Sequence, residues 1–234
     1  MSTAKIKKRL SSGLGPILLP KSMTLNLYCL RHGETTQSQT GGYCGALDPE
    51  LTPAGLAMAK AFADRYQSLP WTAVFCSPLR RAIATAKPLG DAVAIAPIIR
   101  DGLAEIHFGD WEGRSPESVR TEDRDAYDRW VAEPAWNAPT GGETAVQVAD
   151  RAMAVVTEIQ QTYEAGNVLV VSHKATIRIV LCSLLGIDLG RYRDRLDTPV
   201  ASLSVVTFGR YGPMLLRSSD RNHLPSELRD RKGT

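Results

Sequence analysis

Leu25-Asn26-Leu27-Tyr28-Cys29-Leu30-Arg31-His32-Gly33-Glu34-Thr35 is the stretch that decides the fold. Six mostly apolar residues run into a charged loop at a glycine, the pattern of a short buried strand that ends abruptly. A polar, Gly-rich loop follows to Leu51. Thr52-Pro53 then supplies an N-cap with proline at the first helical position. Leu56, Ala59, Phe62, Ala63 and Tyr66 recur at helical spacing, predicting a helix through Gln67. Ala73–Cys76 reads as a second strand, Leu79 to about Val93 as a helix opened by Ser77-Pro78, and Ala94–Ile99 as a third strand. Residues 100–142 are irregular and charge-rich, with short helical stretches near 116–122 and 123–132; a segment of this length beside a strand–helix scaffold is a lid or binding insertion. Glu143–Ala165 predicts a long helix stopped at Gly166-Asn167. Val168–Val171 is an apolar strand leading through Ser172-His173 into a helix to about Leu185. Ser202–Phe208 and Met214–Arg217 flank a hairpin signal at Gly209–Gly212. Strands alternating with helices imply a three-layer α/β/α fold, with a mostly parallel central sheet, helices on both faces and an antiparallel strand at one edge.

The 234 residues are 43% hydrophobic and 23% charged, which excludes general disorder. No apolar run approaches the roughly 20 residues of a membrane helix. The net charge of +3 is unevenly placed: residues 1–24 carry five basic and no acidic side chains, whereas residues 25–216 carry 22 acidic against 18 basic. A nucleic-acid binder should carry its charge on the folded body, so neither nucleic acid nor membrane is expected as a partner. The expected organisation is a loose basic leader over 1–24, one domain over 25–224 and a tail over 225–234. Cys29, Cys44, Cys76 and Cys182 form no C-x-x-C pair and read mostly as buried thiols of a reducing compartment. That points to the cytoplasm, or to an organelle stroma if the source is a plant.

Three strand ends carry related chemistry. Arg31-His32 follow the first, Arg80-Arg81 lie just beyond the second, and His173 follows the strand at 168–171. Ligands of open parallel sheets bind beyond the carboxyl ends of the strands, so these groups should converge. Arginine matches phosphate oxygens with its planar fork. A histidine nitrogen can attack phosphorus, and phosphoryl transfer needs cationic donors around the equatorial oxygens.

The blocks resemble, in order and spacing, the motifs of the histidine phosphatase superfamily, the phosphoglycerate-mutase-like group. Arg31–Thr35 is similar to its RHGET. Leu51–Gly55 is similar to LTxxG, and Ser77–Ala86 to SxLxRAxxTA. Leu103–Gly113 is similar to LxExxFGxWEG, Pro139–Thr144 to PxGES, and Val170–His173 to its final histidine block. The resemblance implies His32 as the nucleophile that becomes phosphohistidine. It implies Arg31, Arg81 and His173 as the rest of the phosphate pocket, and Glu105 as the acid for the leaving oxygen and base for the attacking water. It implies no metal and no cofactor, the arginines and His173 supplying the positive charge. The His32 nitrogen that does not attack needs an acceptor to fix the tautomer, and a backbone carbonyl near the loop is the expected one. Ser38, Gly45, His107 and Lys174 are the further substrate-binding candidates. Arg80 reads as solvent-facing, Glu34 as an orienting partner, Trp111 and Glu112 as shaping the insertion, and His223 as packed.

The sequence departs from the pattern at several positions, and specificity is expected in the loop 36–50 and the insertion 100–142. Ser38 stands where relatives have Asn, a common loop arginine is missing around Gly41–Tyr43, and Lys174 replaces a glycine, offering a cation to a second negative group. The resemblance favours the phosphatase branch, acting on a small phosphorylated metabolite, and allows a homodimer. The alternatives are a mutase of the same fold, for which His107 speaks; a protein phosphatase; and an inactive binding protein that keeps the pocket.

Overall fold

The computed structural model describes residues 24–231; the expected leader, apart from Thr24, lies outside them, as do residues 232–234. Six strands form one sheet: β1 (Leu25–Arg31), β2 (Trp71–Cys76), β3 (Ile98–Ile99), β4 (Gly166–Ser172), β5 (Leu203–Gly209) and β6 (Gly212–Asp220), in the order β3-β2-β4-β1-β5-β6. The first four are mutually parallel. β5 pairs antiparallel with both β1 and β6. The antiparallel strand is therefore one place in from the edge, and the edge strand β6 runs with the parallel set.

Alternation explains why these strands are apolar almost throughout. Leu25, Leu27 and Cys29 of β1, Ala73 and Phe75 of β2, and Val168 and Val170 of β4 face one layer. Leu30, Val74, Cys76, Leu169 and Val171 face the other. The inner strands β1, β2 and β4 are buried on both faces because helices cover both, whereas the edge strand β6 is largely exposed. The first layer is α6 (Ala145–Thr162), through Ala152, Val155, Val156 and Ile159, with α7 (Lys174–Leu185), through Ile177, Val180 and Leu181. The second is α2 (Pro53–Tyr66), through Phe62, Ala63 and Tyr66, with α3 (Arg80–Val93), through Ala82, Ala86 and Leu89. Thr52 caps α2 by accepting from the Gly55 amide at 3.0 Å.

The insertion holds α4 (Pro116–Glu122) and α5 (Arg124–Ala132), and the chain closes with α8 (Tyr192–Arg195) and α9 (Ser226–Arg229). A small core of its own, Trp111, Val119, Ala126 and Trp130, anchors the insertion against Tyr43, Phe108 and Tyr127. Three expectations shift. The third strand shrinks to two residues, because Ala94 turns into the left-handed region (φ 57°) to end α3 and Pro97 cannot donate to a ladder. The helix expected over Glu143–Ala165 begins at Ala145, since Thr144 and Gln147 form a capping box. It stops at Thr162, where Tyr163 turns extended, so Gly166 opens β4. The loop after RHGET contains a short helix, α1 (Thr36–Thr40), capped reciprocally by Thr35 and Ser38.

Candidate active site

The carboxyl ends of β1, β2 and β4 meet at one cavity of about 290 Å³. Backbone bonds hold its floor: the His32 amide donates to Ser172 O at 3.0 Å, Ser77 N to Val171 O at 3.0 Å, and Ala201 N to His32 O at 3.1 Å. The two glycine motifs sit back to back. A Cβ on Gly33 would come within 2.5 Å of Gly55 O, and one on Gly55 would strike the Glu34 carbonyl. The glycines of RHGET and LTxxG are thus one close approach of two backbones.

His32 is only 5% exposed. Its Nδ1 lies 2.7 Å from Gly33 O. That carbonyl can only accept, so Nδ1 carries the proton and Nε2 keeps its lone pair. The expected acceptor is the neighbouring backbone carbonyl. Burial, with Arg31 and Arg81 adding repulsion, holds the ring's pKa well below the ordinary histidine value. His173, at 5.2 Å between ring centroids, is likewise buried and held well below it, by burial and then by Arg81. Its Nδ1 accepts from Arg81 Nε at 3.2 Å and its Nε2 lies 2.7 Å from Ser77 Oγ. This corrects two expectations: burial first, then Arg81, disfavours a charge on His173, so the fixed positive charge is arginine's, and with both ring nitrogens engaged His173 lies outside the cavity lining, behind Arg81.

Arg81, fully buried at 1% exposure, donates through Nη1 to Leu47 O at 2.6 Å and through Nη2 to Gly45 O at 3.0 Å. Arg31 donates through Nη1 to Thr198 O at 2.7 Å; burial lowers its pKa to about 10, leaving it charged at neutral pH. Arg80 turns outward to Asp48 and Glu50.

Glu105 sits on the N-terminus of α7. Its carboxylate accepts from the amides of Ile106 (2.9 Å), Thr176 (3.2 Å) and Ala175 (3.3 Å) and from Thr176 Oγ1 (3.2 Å). The carboxyl group thus takes up N–H groups that the first turn of the helix leaves unpaired. Arg151 fixes the segment, donating to the carbonyls of Gly102, Ala104 and Glu105 and pairing with Glu143. Glu143 also accepts from the His107 amide at 2.9 Å. Burial opposes its charge, but Arg151 prevails and holds its pKa below the usual range. The glutamate of the PTGGET block therefore serves the loop that carries Glu105.

The other candidates divide. Gly45 lines the cavity in the left-handed region (φ 51°), where a side chain would also collide with the Glu112 carboxylate. Lys174 lines it too, partly buried, its pKa lowered to about 8 by burial and by Arg31 and Arg178. Ser38 lines it, but its hydroxyl donates to Thr35 O at 2.8 Å and accepts from Thr35 N at 2.9 Å, so helix capping engages both roles. His107 is a correction: its side chain is 46% exposed and lies outside the cavity lining, because the turn at 107–113 sends Phe108 inward instead. Glu112 ties the loop after RHGET to the insertion, accepting from Ala46 N at 2.9 Å and from Phe108 N at 3.1 Å. Glu34 is buried. Burial alone would raise its pKa; a bidentate pair with Arg231 (2.7 and 3.0 Å) and bonds from Thr52 and Gln39 lower it instead. Sequence reading missed Arg178, Arg193 and the aromatic wall of Tyr43, Phe108, Tyr127, Trp130 and Tyr192. The i, i+4 spacing of Lys174 and Arg178 was the one available signal.

The family model described as "Histidine phosphatase superfamily (branch 1)" matches residues 27–221. A phosphoserine phosphatase 1 of Hydrogenobacter thermophilus is 32% identical over 200 residues, covering 86% of this chain and 94% of that protein. An adenosylcobalamin/alpha-ribazole phosphatase of Salmonella typhimurium is 30% identical over 161 residues, 69% of this chain and 80% of the relative. The solved structure of a mycobacterial glucosyl-3-phosphoglycerate phosphatase superposes with a TM-score of 0.78 at 25% identity, covering 85% of this chain and all of that one.

Proposed function

The chain belongs to the histidine phosphatase superfamily, branch 1, and from that premise we propose that it hydrolyses the phosphomonoester of a small metabolite through a phosphohistidine on His32. The observation that carries this reading is the His32 tautomer: Nδ1 is tied to Gly33 O at 2.7 Å, in a ring whose environment disfavours the imidazolium. A neutral Nε2 is what attack on phosphorus requires.

In the first step Nε2 bonds to phosphorus as the ester P–O bond breaks, and the leaving alkoxide takes a proton from Glu105, which the anionic phosphate beside it keeps protonated in the substrate complex. In the second, Glu105 takes a proton from water as the water oxygen displaces Nε2, releasing phosphate and neutral His32. Arg31 and Arg81 meet the equatorial oxygens, where charge accumulates. His173, held between Arg81 and Ser77, positions Arg81. With the positive charge on guanidinium groups, the reaction needs no metal. Relatives named for phosphoserine, alpha-ribazole and glucosyl-3-phosphoglycerate phosphatase activity support a small substrate, as does the size of the cavity. The mutase alternative leaned on His107, which stands outside the cavity lining.

A panel of phosphorylated metabolites assayed with chelator, beside a 3-phosphoglycerate isomerisation assay, tests the proposal. Chelator-resistant phosphate release is expected. Dependence on added divalent metal, or isomerisation outpacing release, overturns it.

A further inference from the structure

The cavity holds more positive charge than one phosphoryl group needs. Beyond Arg31 and Arg81 it is lined by Lys174, Arg178 and Arg193, against one carboxylate, Glu105. Arg193 is accounted for, its guanidinium lying 3.8 Å over the Trp130 ring. Lys174 and Arg178 are not. They stand one turn apart on α7, so both side chains leave the same face of the helix. Arg178 reaches Asp197 only through Nη2, at 3.3 Å, and that carboxylate is 77% exposed. The Nε of Arg178 is buried without a hydrogen-bond partner among the described residues. Lys174 has no carboxylate within ion-pair distance among the described residues, and repulsion from Arg31 and Arg178 outweighs the more distant attraction of Asp197 and Glu105. An ordinary rim lysine would reach into solvent; this one is partly buried beside two guanidinium groups, an arrangement costly until an anion joins it.

We infer that Lys174 and Arg178 form a subsite for a second anionic group, so that the substrate is a phosphomonoester whose body also carries a carboxylate or a further phosphoryl group. The inference rests on the phosphatase reading above and narrows its substrate class. The aromatic wall confines the body between the two anions, and a cavity of about 290 Å³ lies at the small end of the range for ligand sites. A planar carboxylate or a phosphoryl group can bridge the Arg178 guanidinium and the Lys174 ammonium, both of which line the cavity.

Matched esters test it. 3-Phosphoglycerate and glycerol 3-phosphate share a three-carbon skeleton and differ by a carboxylate against a hydroxymethyl group; 2,3-bisphosphoglycerate adds a phosphoryl group, and p-nitrophenyl phosphate reports the chemistry alone. The kcat/KM for a doubly anionic ester should exceed that for glycerol 3-phosphate by roughly tenfold or more, the worth of a charge-assisted hydrogen bond. In Lys174→Gln that ratio should fall about tenfold, and Arg178→Gln gives the same comparison should the first variant fold poorly. Which of the two anionic esters leads tells carboxylate from phosphoryl. A wild-type ratio near one for both, or a ratio unmoved in both variants, overturns the subsite while leaving the phosphatase reading intact. No His32-dependent hydrolysis of any of the four, p-nitrophenyl phosphate included, overturns that reading and the subsite with it.

Discussion

The two halves of the cavity are built differently. Its floor is Arg31, His32 and Arg81, backed by His173, all at most 5% exposed, set at strand and helix ends by backbone hydrogen bonds running between β1, β4 and the loop before β5. Its wall is Tyr43, Phe108, Tyr127 and Trp130, held by ring contacts such as Tyr43–Phe108 at 4.9 Å and Trp111–Trp130 at 5.3 Å, with Glu112 tying the loop to the insertion. Backbone ladders tolerate little change in the chain that forms them. A packed aromatic cluster can be refilled by other side chains of similar volume. The floor is where a common reaction belongs and the wall is where substrates are told apart.

Variants can break this division, beginning with the strongest. His32→Ala should lower kcat/KM by roughly 10⁴-fold or more, with no acid-labile phosphoenzyme, as expected when a nucleophile is lost; a phosphoenzyme persisting in that variant places the nucleophile elsewhere. Glu105→Gln should cost about 10²- to 10⁴-fold, least for esters with good leaving groups; equal losses for p-nitrophenyl and alkyl phosphates would remove Glu105 as the acid. Trp130→Ala, in the wall, should raise KM about tenfold while kcat changes little, and cost about 3–5 kcal/mol of stability in a urea melt. A collapse of kcat with KM unchanged would erase the distinction between wall and floor.

Acid should probe the floor through stability. His32 and His173 are held well below the ordinary value and His223 at about 4, in each case chiefly by burial. The unfolded chain therefore binds protons near pH 6.5 that the native chain refuses. Stability is full above that pH and falls as pH drops from it toward the native values, by up to about 1.4 kcal/mol per unit for each ring. Urea melts at pH 7, 6 and 5.5 should show the slope, and His223→Gln should remove one ring's share; a flat profile refutes the assignment. The smallest effect should come from Arg231→Gln, which strips the bidentate partner from buried Glu34: a Tm lowered by a few degrees, with kcat/KM reduced only a fewfold, measured by thermal melts and steady-state assays. An unchanged Tm would mean that Thr52 and Gln39 suffice.

Much of the floor was legible in the sequence because its residues are adjacent to strand ends, where a short apolar run and a glycine mark the boundary. Even the acceptor for His32 could be anticipated, since a buried imidazole beside a loop has backbone carbonyls at hand. The wall was not legible. Tyr43, Phe108, Tyr127, Trp130 and Tyr192 come from separate segments, and no spacing links them. His107 looked like the contact and Phe108 beside it is the one that faces the cavity, a difference set by the direction of a turn. The short helix after RHGET did leave a signal in Thr35-x-x-Ser38, a capping pattern hidden inside a loop rich in glycine.

By itself the sequence determined the alternation of strands and helices, the three-layer sheet and the residues at its strand ends, because buried strands and capped helices depend on local patterns of apolar and turn residues. Only the tertiary structure decided the partners of His173, the grip of Arg231 on Glu34, the seat of Glu105 on α7 and the placing of Lys174 and Arg178 in one cavity with Arg31. Each of these depends on which groups from distant segments share a buried volume, where proximity and desolvation set the charge, and a linear pattern carries no information about that proximity.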